Sequence, residues 1–251
     1  MPLIRSLTRA VAMLALTFAC YLLVLISLLF TRFAEARRLR LRNTAFRIWA
    51  VGLARIAGMR TRCEGTPPQG PFLLVANHLS YMDILLLTTE VHATFVAQAN
   101  LRHWPVLGPI FASADTIFID RGRRKDLLRV MDLIAAAIDR NLGVIIFPEA
   151  TTGTGEEIRP FKPSLFEFAA RRAFPVHYAA ITYTTPEGWG PAHEIVCWWN
   201  APFLPHILRL LRLPHFEAKL LFGESTFQDG DRKALAEALR TAMRRIFTPV
   251  A

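Results

Sequence analysis

The chain has 251 residues, enough to bury a substantial core as one large domain or two small ones. Hydrophobic residues make up 53% of it and the mean hydropathy is +0.29, both high for a soluble enzyme, while a net charge of +10, carried mostly by arginine, suits an anionic surface such as a membrane or a nucleic acid. Three scattered cysteines, Cys20, Cys63 and Cys197, offer neither a disulfide framework nor a zinc site and fit a reducing compartment.

The first element is an uncharged apolar run from Ala10 to Phe30. About 21 residues at ~1.5 Å each suffice to cross a bilayer core, so the run reads as a membrane helix, crossing or re-entrant. A signal peptide is the competing reading, because Ala34-Glu35-Ala36 mimics a cleavage site, but the run is longer than an ordinary h-region. Arg5 and Arg9 precede it, whereas Arg32, Arg37, Arg38, Arg40, Arg42 and Arg47 follow. The positive-inside rule therefore places the bulk of the chain in the cytoplasm, at the inner membrane. Leu39, Leu41, Phe46, Ile48, Trp49, Leu53 and Ile56 interleave with the arginines, as in an amphipathic arm lying on anionic headgroups. A solvated linker helix is the alternative. Nucleic acid is set aside as a partner, because the charge adjoins a membrane anchor.

Gly65-Thr66-Pro67-Pro68-Gln69-Gly70 is a turn-rich break. It divides an anchor and arm, 1–64, from a second domain, 65–251. Beyond it, β-like runs at 71–76, 93–98, 116–120, 143–148, 175–183, 194–199 and 216–222 alternate with helical patterns at 83–90, 123–140, 163–173, 204–212 and 231–247. That alternation predicts an α/β fold, a layered, mixed and largely parallel sheet with flanking helices.

The first of these runs, Phe72-Leu73-Leu74-Val75-Ala76, delivers Asn77-His78-Leu79-Ser80-Tyr81-Met82-Asp83 to a turn. The carboxyl edge of a strand is where open α/β sheets place their chemistry. Ser80 and Asp83 have the form of a capping box. Five residues is not a same-face helical separation, so His78 meets Asp83 only if the aspartate leans back from the first helical turn. Such a contact fixes the imidazole tautomer and leaves the other nitrogen as a base. Spacing alone leaves open the plainer reading of a capped helix beside a loop histidine.

Two further strands end on polar groups. Thr116-Ile117-Phe118-Ile119-Asp120-Arg121-Gly122 presents the Arg121 guanidinium, whose fork suits a phosphate or carboxylate; a surface ion pair is the alternative. Gly143-Val144-Ile145-Ile146-Phe147-Pro148 leads into Glu149-Ala150-Thr151-Thr152-Gly153, small residues whose backbone N–H groups can approach an anion, with Glu149 placed to orient a hydroxyl or to cap the next helix. His177, His193, His206 and His215 lack partners at metal-ligand spacing, so no metal or cofactor is expected, and the absence of a GxSxG elbow argues against a serine acyl-enzyme.

These blocks resemble, in order, the motifs of the glycerolipid acyltransferase family that includes the 1-acylglycerol-3-phosphate acyltransferases. NHLSYMD is similar to NHxSxxD, the Arg121 strand to GxxFxxR, FPEATT to FPEGTR, and Phe174-Pro175-Val176-His177-Tyr178 to VPVxPV. The resemblance runs from about residue 45 nearly to the C-terminus. It implies a catalytic pair, His78 and Asp83, with substrate contacts from Asn77, Ser80, Arg121, Glu149, Ala150, Thr151, Thr152 and Lys162. It also implies a lysolipid acceptor, an acyl-CoA or acyl carrier protein donor, and a membrane site of action. Gln98 stands where many members have a lysine, Ala150 replaces a glycine and Thr152 an arginine. A branch with FPEGTT continues into PFKxxLF, which Pro160-Phe161-Lys162-Pro163-Ser164-Leu165-Phe166 matches, so Lys162 is expected to restore a charge. The acceptor expected from the family majority is 1-acylglycerol-3-phosphate, giving phosphatidic acid; the two lost cations keep lyso-ornithine lipid or another lysophospholipid as the runner-up. A basic membrane-binding module without catalysis is the reading from a different class.

Overall fold

The structure, a computed structural model, describes residues 2–30, 35–104, 107–113, 115–120 and 124–250. The Arg121 expectation, with Gly122, therefore lies outside the described residues. Two long helices come first, α1 (Pro2–Phe30) and α2 (Glu35–Ala57). They form an antiparallel hairpin: Trp49 Nε1 donates to Thr17 Oγ1 at 2.9 Å, and Gly52 lets Leu16 pack against its backbone.

The remainder is built on β1 (Met59–Glu64), β2 (Leu73–Ala76), α3 (Met82–Glu90), β3 (Ala93–Gln98), α4 (Leu107–Ser113), β4 (Ile117–Ile119), α5 (Arg124–Asp139), β5 (Gly143–Ile146), α6 (Glu167–Arg172), β6 (Val176–Thr184), α7 (Ala192–Ile195), α8 (Phe203–Leu210), β7 (Phe216–Phe222) and α9 (Arg232–Ile246). Among the described residues the strands form one seven-stranded sheet in the order β1-β7-β6-β2-β5-β3-β4, parallel throughout except for the β6–β7 pair.

Strand alternation divides the core between the two faces. Leu74, Ala76 and Ile145 join residues from α1, α2, α3, α7 and α8 on one face. Leu73, Val75, Val144 and Ile146 join α5, α6 and α9 on the other. Burial on both faces explains why β2 and β5 read as unbroken apolar runs.

Two expectations are corrected. Residues 194–199 do not form a strand. Ala192–Ile195 is a short helix after Pro191, and the N–H groups of Val196 and Cys197 both return to Ala192 O. The segment is apolar because it packs on the core, not because it pairs in the sheet. Conversely, β1 lies before the break at 65–70, so that turn joins two strands of one sheet. β1 pairs only with β7, and its central residues are exposed. An edge strand of this kind, Met-Arg-Thr-Arg-Cys-Glu, carries no apolar alternation to announce it.

Candidate active site

β2 and β5 are neighbours in parallel register, so the loops after them emerge side by side at the carboxyl edge of the sheet. His78 follows β2 and stacks on Phe147, which follows β5, with ring centroids 4.0 Å apart and planes at 14°. The loops are also stitched by backbone: Gly153 N–H donates to His78 O at 2.9 Å, and His78 N–H donates to Glu149 Oε1 at 3.3 Å.

His78 Nδ1 lies 2.7 Å from Asp83 Oδ2. The carboxylate is fully buried and receives further hydrogen bonds from Leu79 N–H at 2.7 Å, Ser80 N–H at 3.0 Å and the Tyr183 hydroxyl at 2.6 Å. Donors surround a buried charge on both oxygens, which is the condition for keeping it ionised in the core. A carboxylate only accepts, so the shared proton sits on Nδ1 and Nε2 keeps its lone pair. The His78 side chain is 20% exposed, so the imidazole is not sealed inside the core.

The capping box forms only in its backward half. Asp83 reaches the N–H of Ser80, but the Ser80 hydroxyl is buried without a partner, and the N-cap of α3 is Tyr81 with no side-chain cap. Asn77 is 1% exposed; its amide donates to Ile181 O at 3.0 Å and accepts from Ile181 N–H at 2.7 Å. It locks the turn after β2 to β6, with both ends of its amide engaged by Ile181.

Glu149 is 4% exposed, and burial raises its carboxyl from 4.5 to about 8 against the lowering effect of hydrogen bonds from the His78 and Arg159 backbones and of the Arg159 charge. Ala150 adopts φ +67°, so the alanine occupies the left-handed region that the family's glycine would tolerate freely. Thr151 is exposed, and the Thr152 hydroxyl donates to Trp198 O. Lys162 is exposed and contributes its backbone N–H to Pro148 O at 2.8 Å. The structure thus brings His78, Asp83, Glu149, Thr152 and Gly153 together, and leaves the Lys162 side chain on the surface.

Several residues at the site carried no sequence signal. Tyr183 sits mid-strand in β6, a hundred positions from Asp83. Trp198 closes the other side, its backbone N–H on Leu79 O at 2.7 Å and its ring among Tyr81, Trp104 and Phe203. Within this cluster Tyr81 OH lies 3.0 Å from His206 Nδ1, while His206 Nε2 meets Cys197 O at 3.0 Å. The carbonyl fixes the proton on Nε2, so Tyr81 donates and His206 is neutral, in keeping with the fall in its pKa on burial. Cys197 is also close, but burial, with Asp83 adding to it, pushes its thiol up to about 12. That shift works against a thiolate nucleophile at neutral pH. Among the described residues no cluster of metal-ligating side chains occurs. What remains is a histidine whose Nδ1 is held by a buried carboxylate, next to a glycine-containing loop.

Residues 60–182 match a family model described as Acyltransferase. The chain is 32% identical over 257 residues to a lyso-ornithine lipid O-acyltransferase of Brucella abortus, covering 97% of this chain and 94% of that one. It is 33% identical over 151 residues to a 1-acyl-sn-glycerol-3-phosphate acyltransferase of Neisseria gonorrhoeae, covering 59% and 58% respectively. Among solved structures, the crystal structure of the 1-acyl-sn-glycerophosphate (LPA) acyltransferase PlsC from Thermotoga maritima superposes with a TM-score of 0.63 at 17% identity, over 97% of this chain and 99% of that one, a likeness of fold. A relative aligned along nearly its whole length, together with the matching family model, shows that this chain belongs to the glycerolipid acyltransferase family and is an acyltransferase.

Proposed function

We propose that the chain is a membrane-associated O-acyltransferase that moves an acyl group from a thioester, acyl-CoA or acylated carrier protein, to the hydroxyl of a lysolipid, with a phosphate-free acceptor of the lyso-ornithine type preferred. The observation that carries this reading is the Asp83–His78 pair, with Nε2 free at the sheet edge. His78 Nε2 takes the proton of the acceptor hydroxyl as that oxygen attacks the thioester carbonyl. Asp83 stabilises the imidazolium that forms. Collapse of the tetrahedral intermediate breaks the C–S bond, and the same proton passes from Nε2 to the departing thiolate. The enzyme ends unchanged, without a protein acyl intermediate.

Three observations support the phosphate-free acceptor: Gln98 and Thr152 remove two cations, the Thr152 hydroxyl is engaged by Trp198, and the relative from Brucella abortus carries that activity in its name. Lysophosphatidic acid is the second reading, favoured by the Neisseria relative and by the proposed phosphate contact of Arg121. Membrane association rests on α1, which holds an 18-residue stretch with a mean hydropathy of 2.2, only 17% of it buried. A cytoplasmic catalytic face follows from the arginine distribution.

Purified protein in mixed micelles, supplied with an acyl thioester, tests the proposal by comparing lyso-ornithine lipid with lysophosphatidic acid, wild type with His78→Ala. Expected is faster transfer to lyso-ornithine lipid and a loss of at least about 10³-fold in the variant with its fold and vesicle binding kept. Preference for lysophosphatidic acid would overturn the acceptor assignment. Activity on neither, with the donor verified, would overturn the function.

A further inference from the structure

The family's third motif places an arginine where this chain has Thr152, and the residue expected to compensate, Lys162, is exposed on the flank. Another cation lies much nearer. The Arg159 guanidinium carbon sits 4.8 Å above the ring of Trp199, and its Nη1 donates to Thr152 O at 3.3 Å. Gly153 shows how close this is to the base. A methyl carbon built on Gly153 would lie 3.3 Å from Arg159 Cδ, 3.8 Å from Glu149 Oε2 and 3.9 Å from His78 O. The arginine stem therefore borders the same small space as the histidine loop.

We propose that Arg159, held flat by Trp199, is the clamp that receives the anionic group of the acceptor headgroup and so sets acceptor choice; this rests on the acyl-transfer reading above. No carboxylate among the described residues lies within 4.0 Å ion-pair distance of Arg159. Burial raises the neighbouring Glu149 carboxyl to about 8 against the pull of the Arg159 charge, so it offsets the guanidinium only weakly at neutral pH. Stacking fixes the plane of the fork while the indole, 43% exposed, leaves its edge open. An oriented fork with free donors suits a two-oxygen anion, either a carboxylate or a phosphate.

The test is steady-state acyl transfer by full-length protein to three acceptors: lyso-ornithine lipid, its carboxyl methyl ester and lysophosphatidic acid. Arg159→Gln and Arg159→Lys are compared with wild type at matched thermal stability. Wild type is expected to favour the free acid over the ester by at least about tenfold in kcat/KM, the range of a charge-assisted hydrogen bond. Arg159→Gln should erase that ratio by raising the acceptor KM while the donor KM is kept, and Arg159→Lys should restore part of it. The same rise for lysophosphatidic acid, and none for lyso-ornithine lipid, would assign the clamp to phosphate instead of carboxylate. An active wild type whose acid-to-ester ratio survives in Arg159→Gln overturns the clamp and leaves Arg159 as a brace for the Thr152 carbonyl. Wild-type inactivity on all three acceptors overturns the acyl-transfer reading, and the clamp with it.

Discussion

Glu149 gives the sharpest link between a single side chain and a bulk measurement. Its carboxyl is 4% exposed and its titration is shifted from 4.5 to about 8, with burial as the leading cause. Between those values the folded protein holds a proton that the unfolded chain has released. Stability therefore falls as pH rises through the window, because the native state binds the extra proton. At about 1.4 kcal/mol per pH unit the full shift corresponds to an upper bound of roughly 5 kcal/mol, and hydration by fluctuations of the loop brings the expected figure to about 2–4 kcal/mol. Glu149→Gln keeps the shape and an oxygen for the His78 N–H but removes the titration. Urea unfolding in mild detergent, followed by tryptophan fluorescence, should show the two proteins close at pH 5. The variant should gain on wild type up to about pH 8 and level off beyond it. A difference that stays constant within about 0.5 kcal/mol across that range would refute the buried, protonated Glu149.

Asp83→Asn keeps an oxygen for the backbone N–H groups but removes the charge that steadies the imidazolium, so acyl transfer should fall by about 10²–10⁴ while unfolding free energy moves by less than about 2 kcal/mol; an activity loss below tenfold would mean Asp83 only shapes the loop. Tyr183→Phe strips the hydroxyl from Asp83 Oδ1 inside the core and should cost about 1–3 kcal/mol in chemical denaturation, with a far smaller kinetic loss than Asp83→Asn because the His78 contact is on Oδ2. Equal kinetic losses in the two variants would contradict that division. Ala150→Gly relieves the left-handed strain at φ +67° and should raise the unfolding free energy by about 1 kcal/mol; a destabilised variant would show that the loop holds no such strain.

Legibility in the sequence followed burial and locality. β2 and β5 are covered on both faces, so each is an apolar run with a polar stop, and the parallel sheet and its functional edge could be read directly. The His78–Asp83 contact spans five positions and needed only a turn leading into α3. Illegible features are those in which distant segments meet. Tyr183 reaches Asp83 because β6 lies beside β2, and Arg159 meets Trp199 because two loops fold over the same edge. The 194–199 stretch misled for a related reason: Ile195, Val196 and Cys197 are apolar through packing on the core, while Pro191 starts a short helix at the point where a strand would have begun.

The anchor shows how packing decides what length cannot. By length α1 can cross a bilayer, yet its first turns belong to the catalytic domain. Ser6 Oγ donates to Leu208 O at 2.8 Å, and the Arg9 guanidinium donates to Ala57 O at 3.1 Å, Leu213 O at 2.6 Å and Pro214 O at 2.9 Å, gathering the carbonyls that end α2 and follow α8. A single crossing would carry that end of α1 about 30 Å away from these partners, to the opposite side of the membrane. α2 offers no return path through lipid, since arginines run along it. Leu3, Leu7, Val11, Leu14 and Phe18 are exposed at helical spacing, whereas Ser6, Met13 and Cys20 are buried. One stripe of α1 thus faces the protein and the other is exposed, a pattern that suits a helix lying within one leaflet. This packing supports the re-entrant reading over the crossing one. On the proposed acyl-transfer reading, such a placement would leave His78 open to both a lysolipid hydroxyl and a water-soluble thioester.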